Sequence, residues 1–164
     1  MKKITYLIFA FIMLIFISEC TGYKPIFGST NIQFDIVDYD IKGDKIIGKK
    51  IYSQLHGLSK SVKNDQNITS VKLLIDTLKN KEATVKDSVG KILEYKITIK
   101  TKIITTDFIT DEKILNQTFI SSLTYKVQDQ YSDTIKLENK LVENLINKIF
   151  QEILIKLSHN ITTK

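Results

Sequence analysis

The chain has 164 residues and a formal net charge of +6, and all 24 of its basic residues are lysines spread along the sequence. Proteins that bind nucleic acids more often cluster their basic residues and use arginine for bidentate contacts, so this composition argues against a nucleic-acid partner. Cys20 is the only cysteine, which excludes an internal disulfide and leaves stability to the hydrophobic core.

The N-terminus has the pattern of an export signal. Lys2 and Lys3 precede an apolar run at residues 4–17, and Cys20 follows shortly after it. At 1.5 Å per residue, a helix of this run would be roughly 21 Å long, against about 30 Å for the hydrocarbon core of a bilayer. The short length favours a cleaved signal over the alternative, a retained membrane anchor.

The cysteine behind the run predicts a lipoprotein signal peptide at residues 1–19. Cys20 would then become the lipidated first residue of the mature protein, and this covalent lipid is the only cofactor that we expect. Ile17 and Ser18 fit the residues that usually precede a lipidated cysteine, whereas Glu19 departs from the small residue expected there. An ordinary secreted protein is therefore the alternative within the cleaved interpretation.

The mature chain of about 145 residues has the size of one domain. We predict a lipidated tether at residues 20–30 and a single domain at residues 31–160. Alternating apolar and polar residues at 31–37 predict the first strand. Residues 38–43 are polar and predict a turn.

The first helix is predicted at residues 44–56, where apolar side chains recur every three to four positions. Asp44 is the expected N-cap, and Gly57 is the expected residue after the last turn. Strands are then predicted at residues 69–79, 92–104 and 115–127, with a polar hairpin connection at 80–91. On the last of these strands we expect three buried side chains, those of Phe119, Leu123 and Tyr125.

A broad apolar stripe at helical spacing predicts a last helix at residues 134–158, capped by Ser132 or Asp133. The element order is therefore β-α-β-β-β-α. Two helices and a sheet, each with one apolar face, predict an α+β fold. Its architecture is a two-layer sandwich with both helices on one face of a four-stranded sheet.

No catalytic or metal-binding motif is evident, so we do not expect an enzyme. His56 and His159 each lie at the end of a predicted helix, where interaction with the helix dipole is their expected role. The sequence at 38–43 resembles the start of a calcium loop, but Lys49 stands where the closing glutamate would be. His and Cys residues are too few for a zinc site.

The candidate binding residues follow the wet side of the strand at 92–104: Lys96, Thr98, Lys100 and Lys102. A solvated face that discourages aggregation is one explanation of this pattern. A surface for anionic lipid headgroups or for an enclosing partner is the other. The sequence leaves both open.

The residues at 20–28, Cys-Thr-Gly-Tyr-Lys-Pro-Ile-Phe-Gly, resemble the start of the LptE-type lipopolysaccharide-assembly lipoproteins. That start runs Cys-Gly-aromatic-basic-Pro-Leu-aromatic-Gly, and Thr21 is an insertion relative to it. The resemblance continues through the helix at 44–58, the strand at 95–104 and residues 125–127 and 131–132. It then covers the long last helix, so it spans nearly the whole mature chain.

This resemblance implies an outer-membrane lipoprotein, lipid-anchored on the periplasmic side. Such a protein plugs the large lipopolysaccharide-assembly β-barrel, LptD, and assists its assembly during delivery of lipopolysaccharide to the cell surface. Contact with lipopolysaccharide itself is a further expectation. The alternative is a free periplasmic lipoprotein that binds a small ligand or acts as a chaperone.

Overall fold

The computed structural model describes residues 34–60 and 68–162, which form four strands and two helices. In chain order these are β1 (Phe34–Gly43), α1 (Lys45–Lys60), β2 (Thr69–Lys86), β3 (Ile92–Asp107), β4 (Lys113–Lys126) and α2 (Tyr131–Thr162). The strands form one sheet in the order β1-β2-β3-β4, with β1 parallel to β2 and the other neighbours antiparallel. The predicted order β-α-β-β-β-α and the α+β class are confirmed.

Several predictions fall on residues outside these ranges. They are the signal at residues 1–19, the lipid on Cys20, the tether at 20–30 and the start of the first strand at 31–33. The domain boundaries at 31–160 also stay a prediction.

The hydrophobic core lies between one face of the sheet and both helices. Alternate residues of β3 are fully buried there, as the period of two predicts. They share one cluster with Ile51 of α1 and with Ile149 and Ile153 of α2. The helices are also joined directly, by an ion pair between Lys50 and Glu143. The predicted two-layer sandwich is therefore confirmed.

Helix α1 begins as the sequence predicts. Asp44 Oδ1 accepts hydrogen bonds from the amide N–H groups of Ile46 and Ile47, each at 3.1 Å, which makes Asp44 the N-cap. The predicted end at Gly57 is wrong, because the helix continues to Lys60. The additional turn buries Ser59, whose hydroxyl donates to the carbonyl oxygen of His56 at 3.0 Å.

The turn predicted at residues 38–43 is wrong, because these residues continue β1. They pair with β2 up to Gly43, which lies opposite Thr77. Their polar side chains lie on the face of the sheet away from the helices, so they do not interrupt the strand. The chain turns only at Gly43, which has φ +71°, and the next amide N–H donates to Thr77 O at 2.6 Å.

The connection predicted at residues 80–91 is also wrong, because β2 continues to Lys86. The turn is confined to residues 87–90, where Asp87 Oδ1 accepts hydrogen bonds from Val89 N–H and Lys91 N–H at 3.0 and 2.8 Å. β2 and β3 therefore form a hairpin that projects beyond the end of β1. Strand residues in this projection are mostly exposed, so they lack the apolar alternation that marks a half-buried strand.

Near the C-terminus, Phe119 and Tyr125 of β4 are buried as predicted, but Leu123 is 37% exposed. The prediction that Leu123 is buried is therefore wrong. Helix α2 begins at Tyr131, which places the predicted caps, Ser132 and Asp133, in its first turn rather than before it.

Candidate functional site

The face of the sheet opposite the helices, called the open face below, is the candidate site. In the described part of the chain no helix packs on it, and its side chains are mostly exposed or half-buried. Strand register places the following residues on it: Asp38, Asp40 and Lys42 of β1; Lys72, Leu74, Asp76, Leu78, Asn80 and Glu82 of β2; Lys96, Thr98, Lys100, Lys102 and Ile104 of β3; and Asn116, Thr118, Ile120, Ser122 and Thr124 of β4.

The structure brings all four predicted binding residues together on this face. Lys96, Thr98, Lys100 and Lys102 alternate along β3, one of the two central strands, and point away from the core. Lys100 and Lys102 are exposed, whereas Lys96 and Thr98 are half-buried. The position of these residues follows the sequence pattern, and their role in binding stays a prediction.

The two neighbouring strands give the lysines different surroundings. Lys96 lies opposite Glu82, with Nζ and Oε1 3.7 Å apart, so its charge is partly compensated. Lys102 lies opposite Asp76, although no ion pair forms between them in the structure as described. Lys100 has no ion-pair partner among residues 34–60 and 68–162.

Lys100 is flanked by hydrocarbon. Leu78 of β2 and Ile120 of β4 lie opposite it on either side, and their side chains are 63% and 60% exposed. Isolated exposed apolar residues are common on protein surfaces, but here two of them frame an unpaired ammonium group. Sequence analysis missed both residues. The available signal was an apolar residue at a position that the strand alternation assigns to the wet face.

A depression of about 480 Å³ opens on this face beside Lys100 and Lys102. Asp76, Leu78 and Thr118 contribute to its lining. The depression therefore combines two ammonium groups, a hydroxyl, one carboxylate and an apolar wall. Such a lining can hold an anionic group by charge and hydrogen bonds while it covers hydrocarbon beside it. It is open to solvent, whereas pockets for small ligands bury most of the ligand surface.

A second polar cluster lies on the helix side of the sheet. Glu138 of α2 accepts hydrogen bonds from Lys81 Nζ at 2.6 Å and from the Tyr125 hydroxyl at 2.8 Å. Lys79 Nζ lies 3.8 Å from the same carboxylate, and Lys81 Nζ lies 4.2 Å from the centre of the Tyr95 ring. The cluster fastens the projecting hairpin to α2.

The titration of this cluster follows its contacts. Burial alone would raise the pKa of Glu138, but the hydrogen bonds from Lys81 and Tyr125, together with the nearby positive charges, lower it below its ordinary value. Burial would lower the pKa of Lys81, and its hydrogen bond to Glu138 outweighs this and raises it. Burial and the Glu138 carboxylate both raise the pKa of Tyr125. These shifts indicate that Glu138 and Lys81 are held in their charged forms by their hydrogen bond, which links β2 to α2.

The histidines lie apart from the open face. His56 lies within α1, and its ring stacks on Tyr52 at 5.3 Å between centroids. Tyr52 stacks in turn on Tyr39 of β1 at 4.0 Å. His159 lies in the last turn of α2.

Within residues 34–60 and 68–162, no group of three or more His, Cys, Asp or Glu side chains is arranged to hold a metal ion. The helices described here are also too polar, or too short, for any of them to cross a membrane.

The comparisons with known proteins identify the fold. No family model and no curated protein matches the sequence. Among solved structures, rare lipoprotein B from Shewanella oneidensis has a TM-score of 0.51 at 10% identity, and the match covers 76% of this chain and 98% of that one. Uncharacterized lipoprotein B from Nitrosomonas europaea has a TM-score of 0.57 at 14% identity, covering 81% and 88% of the two chains. A minor lipoprotein from Acinetobacter baumannii has a TM-score of 0.52 at 14% identity, covering 79% and 92%. At such low identity the shared feature is the fold, so this chain has the fold of solved bacterial lipoproteins.

Proposed function

We propose that this chain is an outer-membrane lipoprotein, anchored by a lipid on Cys20 and facing the periplasm. In this proposal it plugs the lipopolysaccharide-translocating β-barrel and assists its assembly. The observation that carries the proposal is the lipoprotein fold of the described domain. The predicted lipoprotein signal at residues 1–19, followed by Cys20, supports it independently, because these residues lie outside that domain.

The open face supports a role in contact with a large partner. Rows of hydroxyl and charged side chains cross it, among them Thr98, Thr118 and Ser122. The interior of an outer-membrane barrel is polar, so a face of this kind is compatible with its wall. A barrel too wide for its own side chains to fill leaves space for a folded domain of this size. Lys100, with Leu78 and Ile120, supplies a place on the face where charge and exposed hydrocarbon adjoin.

The proposal requires no catalytic step. The protein would act by binding and by filling space, with no cofactor besides the covalent lipid and no nucleic-acid partner. Lipopolysaccharide is a second proposed partner, because its phosphates and acyl chains match the lysines and the apolar wall of the depression on the open face.

The alternative, a free periplasmic carrier of a small ligand, is favoured by one observation. The depression beside Lys100 and Lys102 has about 480 Å³, within the size range of small-ligand sites. A carrier would bind a soluble ligand without any barrel partner. Because the depression is open to solvent, contact with a larger surface is the better-supported function.

Depletion of the protein in cells that produce it tests the proposal. We expect less folded lipopolysaccharide-translocating barrel in the outer membrane and less lipopolysaccharide at the cell surface, and both should recover when the intact gene is restored. A Cys20→Ala copy is the matched control, since it keeps the domain and removes the anchor. Normal levels of folded barrel and surface lipopolysaccharide after depletion would contradict the proposal and leave the carrier alternative.

A further inference from the structure

The connection between β3 and β4, residues 107–112, presents hydrocarbon to solvent. This segment is called the apolar loop below. Ile109 is 83% exposed and Phe108 is 44% exposed at its tip. Ile68, just before β2, is also exposed at the same end of the sheet. Two adjacent apolar side chains exposed at the tip of a loop are available for contact with another apolar surface.

The amide N–H groups of the apolar loop are all hydrogen-bonded. Every amide N–H group of residues 107–112 donates a hydrogen bond within the protein. Asp107 Oδ1 accepts from Ile109 N–H and Thr110 N–H at 2.8 and 2.9 Å, and Phe108 N–H donates to Ser70 O at 2.8 Å. Moving a peptide group out of water is unfavourable mainly when its hydrogen bond is lost. The tip can therefore enter a less polar environment with its N–H groups still paired.

Two of the acidic side chains beside the tip, those of Asp107 and Asp111, have partners within the protein. Lys72 Nζ lies 3.3 Å from Asp111 Oδ1 and 5.1 Å from the centre of the Phe108 ring. Asp107 uses its carboxylate to hold the loop. The apolar loop therefore offers hydrocarbon without an excess of positive charge, which favours an uncharged lipid surface over an anionic one.

The apolar loop lies at the end of the sheet where the chain from Cys20 arrives. Phe34, the first residue of β1, pairs with Thr69, and the loop is bonded to Ser70 on the far side of β2. With strands about 4.8 Å apart, the loop is roughly 10 Å from Phe34 across the sheet. About 14 residues separate Cys20 from Phe34, so the chain between them reaches at most roughly 50 Å.

The opposite end of the sheet provides an internal contrast. Val89, in the turn between β2 and β3, is 85% exposed. The 18 residues of β2 extend roughly 60 Å at 3.3 Å per residue, so Val89 lies far from the end that the tether enters. A lipid on Cys20 therefore leaves the apolar loop within reach of the membrane, whereas Val89 lies at the far end of β2.

We propose that the apolar loop inserts Ile109 and Phe108 into the interface of the lipid leaflet that carries the anchor of Cys20. This inference rests on the proposed function only for the presence of that anchor. Insertion gives the anchored domain a second point of attachment and fixes which end of the sheet faces the membrane. Because the contact is apolar, it should form on zwitterionic lipid.

The chain contains no tryptophan, so one introduced tryptophan reports on one position without background. The chain beginning at Cys20 is coupled through this single thiol to a maleimide lipid in phosphatidylcholine vesicles. Ile109→Trp and Val89→Trp are compared as matched probes at the two ends of the sheet. We expect a blue-shifted emission for the probe at 109 and its quenching by brominated acyl chains, with neither effect at 89.

A second variant gives the size of the effect. With Phe108→Trp as the reporter, adding Ile109→Asn should lower the ratio of inserted to free loop by about 10-fold or more, as expected for removal of a buried isoleucine. An unquenched probe at 109, or equal quenching at 109 and 89, would overturn the inference. Chemical coupling replaces the cellular lipid, so these results do not depend on whether cells lipidate Cys20. The mass of the mature N-terminus tests that part of the proposed function separately.

Discussion

The substitution Lys100→Glu should separate binding by the open face from stability of the fold. Lys100 is exposed, has no ion-pair partner among the described residues, and lies between Leu78 and Ile120. Reversing its charge breaks no ion pair among the described residues and removes the unpaired ammonium group beside the depression. We expect a change in the free energy of unfolding within about 0.5 kcal/mol, as for other exposed sites. Binding to the barrel or to lipopolysaccharide should weaken by about 10-fold or more.

Lys96→Glu, on the same strand, should behave differently. It replaces the Lys96–Glu82 pair, 3.7 Å apart, with two carboxylates. Both side chains are about half exposed, so solvent weakens the interaction, and exposed pairs typically contribute roughly 0.2–1 kcal/mol. Loss of attraction and gain of repulsion together should lower the free energy of unfolding by about 1 kcal/mol.

Urea unfolding followed by circular dichroism measures stability, and affinity capture of barrel and lipopolysaccharide from solubilised outer membrane measures binding. Lys49→Glu, which makes the same charge change on the exposed side of α1, is the control and should leave capture unchanged. If Lys100→Glu binds like the unmodified protein, the open face is only a solvated surface. If it loses stability as Lys96→Glu does, the assignment of their cross-strand neighbours is wrong.

The remaining predictions concern the fold and the anchor. Gly43→Ala should lower the free energy of unfolding by about 3 kcal/mol in urea, because φ is +71° and the added Cβ would collide with the backbone of Thr77. Gly90→Ala, at φ +86° with no atom near the added Cβ, should lower the free energy of unfolding by only about 1–2 kcal/mol. Equal losses for the two variants would show that the contact with Thr77 does not add to the cost at Gly43. Glu138→Gln should cost about 2 kcal/mol at neutral pH. Because the pKa of Glu138 is lowered in the folded state, its stabilisation is complete above the ordinary carboxyl pKa and disappears as the pH falls through the folded-state value. The difference in the free energy of unfolding between Glu138→Gln and the unmodified protein should therefore shrink in acid. A difference that stays constant with pH would show that the charge of Glu138 does not stabilise the fold. Cys20→Ala should abolish lipidation, and a mature N-terminus whose mass differs only by the Cys-to-Ala exchange would show that no lipid was attached to Cys20.

The sequence predicts the elements that bury a whole face and fails where little of either face is buried. Strand β3 and helix α2 show their periods clearly, because alternate residues or one stripe must be apolar to enter the core. Residues 80–86 form a strand that is exposed on both sides, and residues 38–43 lie on an edge strand with polar side chains on the open face. Pairing with a neighbouring strand makes these segments extended, and that pairing is not visible in local sequence.

The same limit applies to the candidate site. The side of the sheet on which Lys96 and Lys100 lie follows from their spacing along one strand. Their surroundings depend on residues about 14 to 22 positions away in sequence, Glu82 for one and Leu78 and Ile120 for the other, which strand register brings opposite them. Strand register therefore pairs the charge of Lys96 with Glu82 and leaves the charge of Lys100 unpaired between two apolar side chains.

The most direct test of the central claim is capture of the tagged, full-length protein from detergent-solubilised outer membrane of cells that produce it. We predict that a β-barrel of far larger mass co-purifies with it in a fixed ratio, and that the captured protein begins at a lipid-modified Cys20. Recovery of the protein without any large barrel would contradict the account.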